Sequence, residues 1–74
     1  MSPTGLAIVR MVEVMLREGE QLLRGSISVE TTTNARELHA KIIELVNDPQ
    51  LPNHMEAKLF KLERRLIFKF NLVT

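Results

Sequence analysis

The chain has 74 residues, of which 45% are hydrophobic and 26% charged, with a net charge of +1 and no cysteine. A chain this short makes one domain, residues 1–74, and buries only ~60% of the surface its unfolded form exposes. Without cysteine it has neither disulfides nor thiolate metal sites to reinforce it, which leaves oligomerisation as the simplest source of extra buried area. The absence of cysteine also suits a reducing compartment, so the cytoplasm is the expected location. No stretch is long and apolar enough to span a bilayer, and Met1-Ser2-Pro3 lacks the regions of a signal peptide, so no membrane partner is expected.

The small net charge conceals an asymmetry. Residues 1–48 carry five Lys or Arg against seven Asp or Glu, whereas residues 49–74 carry five against two. The basic character belongs to the last third of the chain.

In chain order, Ser2-Pro3 suits a helix start, because proline at the first helical position loses no useful donor; Thr4 competes as the cap. Leu6–Arg24 is the longest periodic segment. A helical projection puts Ile8, Met11, Val12, Met15, Leu16, Leu22 and Leu23 on one face, with Gly19 near its centre. The arc from Met11 round to Val9 spans roughly 160°, wider than an ordinary surface helix needs, and Ala7 and Val14 widen it further. Gly19 in such a face marks a place where another backbone comes close. Gly25, directly after Arg24, is the expected left-handed end of this helix.

Ser26–Thr33 breaks the helical period: Ile27 and Val29 alternate with polar residues, and Thr31-Thr32-Thr33 is β-branched. The pattern predicts an extended segment, either a loop tucking Ile27 and Val29 onto the core or a short strand. A second helix follows over Ala35–Asn47, with Asn34 and Glu37 as a capping box. Leu38, Ile42, Leu45 and Val46 face inward, while Arg36, Glu37, Ala40, Lys41 and Glu44 face outward. Asn47-Asp48-Pro49 ends it, and Asn53 with Glu56 repeats the cap signature before a third helix. There Met55, Leu59, Leu62, Leu66 and Phe70 share a face, and Lys58, Lys61, Arg65 and Lys69 form a basic stripe within an arc of about 80°. Beyond Phe68 the pattern admits a frayed or extended tail, or a terminal strand paired with Ile27–Thr31. The fold class expected is all-α, a three-helix unit with a long first helix.

No residue set carries catalytic chemistry. His39 and His54 lack a second ligand at helical spacing, the serines lack a nucleophile elbow, and no glycine-rich phosphate loop is present. No enzyme activity, cofactor, metal or small-molecule substrate is therefore expected.

Two binding surfaces remain as candidates. One is the overwide apolar face of the first helix, with Ile8, Met11, Val12, Met15, Gly19 and Leu22 as interface residues, for a twin copy or another protein. On that reading the chain is a noncatalytic regulator, adaptor or dedicated chaperone, acting as a homodimer. The other is the basic stripe Lys58, Lys61, Arg65 and Lys69, the electrostatic footprint of a nucleic-acid binder. A six-residue connection with two prolines is a poor helix-turn-helix, so a solvated face or an acidic protein partner competes with it.

Overall fold

The computed structural model describes residues 3–73. Three helices account for most of them: α1 (Pro3–Arg24), α2 (Val29–Val46) and α3 (Asn53–Phe70). Among the described residues there is no strand, which removes the terminal strand as an alternative. The cap expected at Ser2 and the side chain of Thr4 lie outside the described residues. Short connections force neighbours in sequence to run antiparallel, so α1 and α3 run in the same direction. Contacts at nearly constant offset show this: Gly19 meets Leu62, Glu20 meets Arg65, and Leu22 meets Lys69.

Each helix contributes one buried stripe. Ile8, Val12 and Met15 from α1, Leu38, Ile42 and Leu45 from α2, and Leu59, Leu62, Leu66 and Phe70 from α3 meet in one core. Ala35, Leu51, Met55 and Leu72 complete it.

The helix ends depart from expectation in four places. α2 starts at Val29, six residues before Ala35, because Ser28 and Thr31 form the capping box. The Thr31 N–H donates to Ser28 Oγ (3.0 Å), and the Ser28 N–H donates to Thr31 Oγ1 (2.8 Å). Only the residues between Arg24 and Val29 stay outside helix, and Ile27 and Val29 point to solvent rather than onto the core. The β-branched run is accommodated because its hydroxyls serve the backbone; Thr33 Oγ1 donates to the Val29 carbonyl at 3.0 Å. Asn34 and Glu37 therefore lie inside α2.

Asn53 does not cap α3. The cap position is Pro52, whose carbonyl accepts from the N–H groups of Met55 and Glu56, both at 3.0 Å. Gly25 is not left-handed, since no glycine among the described residues has a positive φ. The exposed carbonyls at the end of α1 are instead met by Lys69, reaching across from α3. Its Nζ donates to the carbonyls of Leu23 (2.8 Å), Leu22 (3.0 Å) and Gly25. The left-handed residue is Asn71 (φ 54°, ψ 47°), which ends α3. The Leu72 N–H then reaches back to the Ile67 carbonyl at 3.2 Å, and its side chain is buried. α3 thus runs to Phe70, and Leu72 belongs to the core.

Candidate functional site

The breadth of the apolar arc on α1 follows from its two neighbours. α3 covers the Leu16 and Gly19 side, and α2 the Ile8 and Met15 side, so both margins of the arc are partly used inside the chain.

The α1–α3 seam is the more closely tied of the two, with a smaller concavity of about 260 Å³ left between Leu16 and Glu20 of α1 and Lys58, Lys61 and Leu62 of α3. A Cβ on Gly19 would lie 2.4 Å from Leu62 Cδ1 and 2.6 Å from Cδ2, so the glycine exists to let Leu62 sit against the α1 backbone. Arg65 Nη1 donates to Glu20 Oε1 at 2.6 Å beside this contact, and Lys69 seals the end of the seam. On the other flank of α3, His39 Nε2 and Glu63 Oε2 are 2.8 Å apart, joining α2 to α3 in a half-buried pair.

The α1–α2 seam is open. A groove of about 760 Å³ runs along it, with Ile8, Met15 and Leu45 as its floor and Ala7, Met11 and Val14 along the α1 wall. Lys41 and Glu44 of α2, with Asp48 just past its end, form the opposite wall. A second concavity continues the seam toward Leu22, Leu38, Glu37 and Thr31, with Glu18 and Lys41 shared between the two. Met11 is 51% exposed and Val14 44%.

The structure therefore divides the six residues expected on the apolar face. Ile8, Val12 and Met15 are core, with Ile8 and Met15 also flooring the groove. Gly19 is buried under Leu62. Leu22 is half-buried in the groove's continuation, and Met11 alone of the six is presented to solvent. Sequence periodicity does not single out the α2 wall, because Glu37, Lys41 and Glu44 have the spacing of any solvated stripe. Their position opposite an apolar wall is a tertiary fact.

The basic stripe also divides. Arg65 and Lys69 serve the α1–α3 seam, while Lys58 and Lys61 are exposed. Arg64 and Phe68, outside the stripe as read, stand on the outward ridge of α3 with Lys61; Phe68 is 91% exposed. His39 is engaged by Glu63, and His54 is exposed in the first turn of α3. Among the described residues no three His, Cys, Asp or Glu side chains gather as a metal site, and no helix is long and apolar enough to cross a membrane. Set beside known proteins, the chain matches no family model, no curated protein and no solved structure.

Proposed function

We propose that this chain is a noncatalytic protein-binding protein, a small regulator, adaptor or dedicated chaperone, that holds a partner in the α1–α2 groove. The observation that carries the reading is the half-exposed apolar wall of Met11 and Val14 over a floor of core side chains. An apolar strip beside a groove between two helices accepts a third helix as its natural filling, with the side chains of the guest entering at helical spacing. The adaptable thioether of Met11 suits such a contact.

The test is the binding of an amphipathic helical peptide built of leucine on one face and glutamine elsewhere, followed by fluorescence anisotropy. Saturable binding by the unmodified protein, lost in Met11→Glu while the circular dichroism spectrum is unchanged, is the expected result. Equal binding by Met11→Glu contradicts the reading.

The exposure of Phe68 among Lys61 and Arg64 supports a second reading, single-stranded nucleic acid stacked on that ring. It requires a salt-sensitive affinity for RNA or DNA that Phe68→Ser and Lys61→Glu both weaken.

A further inference from the structure

The two walls of the groove differ in kind, and the difference specifies the guest. On α1 the wall is apolar, Met11 and Val14. Facing it, and along the same seam, stand four carboxylates, Glu18, Glu37, Glu44 and Asp48, against one cation, Lys41. None of the five is in an ion pair; among the described residues Arg65 pairs with Glu20, and Glu63 meets the His39 ring. Asp48 Oδ1 accepts the Gln50 N–H at 2.8 Å, which leaves its charge uncompensated. The groove thus carries a local net charge of −3 (one cation against four anions) in a chain whose total is +1. The surplus of cations belongs to α3, which carries five Lys or Arg against two Glu, along its outward ridge and the α1–α3 seam.

We infer that the occupant of the groove is an amphipathic helix of another protein in which an apolar stripe is bordered on one side by lysine or arginine. Its apolar side chains lie on Met11 and Val14, and its cations face Glu37, Glu44 and Asp48. From Ala7 to Leu22 the α1 wall rises ~22 Å, so the guest is a helix of about four turns. A second copy is a poorer guest. Two grooves brought face to face about a two-fold axis place carboxylates against carboxylates. Among the described residues the outward side of α3 exposes two large apolar side chains, Phe60 and Phe68, which span ~12 Å of helix against the ~22 Å of the groove.

This inference rests on the groove being the docking surface, and the experiment separates the two. Three peptides share one leucine stripe and differ in its border, which is lysine, glutamine or glutamate. Their dissociation constants are measured at about 50 mM and about 300 mM salt, where screening lengths differ roughly twofold. Expected at low salt is a ranking of lysine over glutamine over glutamate, with about tenfold between the extremes that narrows at high salt. Met11→Glu loses the lysine peptide, Phe68→Ser keeps it, and the double variant Glu44→Lys, Asp48→Lys reverses the ranking.

If glutamine and glutamate peptides bind in a Met11-dependent way as tightly as lysine, the inference falls and the groove stands. Failure of all three peptides removes both. Lysine-peptide binding that survives Met11→Glu or vanishes in Phe68→Ser overturns the inference. So does a homodimer, seen in sedimentation of the protein alone, that Met11→Glu splits.

Discussion

The two sides of α1 face their neighbours by opposite means. Toward α3 the chain uses a glycine under a leucine, an ion pair and a lysine that caps the end of α1, and the concavity left beside them is about 260 Å³ against about 760 Å³ toward α2. Toward α2 it places Met11 and Val14 opposite a row of charges, and the seam stays open. Closure needs complementary shapes on both helices, whereas Met11 and Val14 face side chains that prefer water. One side of α1 is built for stability, and the other is the side on which we propose that a guest docks.

The contrast is broken most severely in the shared core. Leu59 and Leu66 are fully buried. Leu59→Ala should cost about 2–5 kcal/mol in urea denaturation, whereas Met11→Ala in the groove wall should change stability by less than about 0.5 kcal/mol. Comparable losses at the two positions would mean the groove wall is packed after all.

Gly19→Leu comes next, with a loss of roughly 1–3 kcal/mol, because the new side chain must displace Leu62. Gly19→Ala is milder, since a gain of about 1 kcal/mol in helix propensity offsets part of the clash. Combining Gly19→Ala with Leu62→Ala should show a coupling energy well away from zero. Strict additivity of the two losses would deny that they touch.

Replacing Lys69 by methionine keeps most of the stem and removes the ammonium from three carbonyls at the end of α1. The expected loss is about 1 kcal/mol, with faster amide exchange around Leu23 and Gly25. A protected α1 end in this variant would show that water serves those carbonyls equally well.

The smallest effect belongs to Glu20 and Arg65. Both side chains are nearly half exposed, and a double-mutant cycle should return under about 1 kcal/mol, shrinking as salt is added. A larger, salt-insensitive coupling would make the pair a true fastener of the seam.

The helices and the core stripe are legible in the order of residues because periodicity at 3.6 records which side chains are buried. Leu38, Ile42, Leu45, Met55, Leu59, Leu62, Leu66 and Phe70 are all read from spacing alone and all lie in the core. Gly19 is legible as a close approach, but what approaches is the Leu62 side chain rather than another backbone, and spacing names no partner. The start of α2 is misplaced for a local reason: three consecutive threonines resemble a strand until Thr31 is seen to cap with Ser28. Lys69 is similar, a stripe residue by sequence and a helix cap by contact. For the groove, Met11, Val14, Glu37, Lys41 and Glu44 are each visible, yet only the packing of α1 beside α2 makes them one surface.

The measurement nearest the central claim uses the methionine methyl groups as reporters. Met11 lies in the α1 wall of the groove, Met15 in its floor, and Met55 in the core at the start of α3. In a titration of methyl-labelled protein with the lysine-bordered peptide, saturable shifts are expected at Met11, smaller ones at Met15 and none at Met55. A peptide that binds while Met11 stays fixed would contradict that claim.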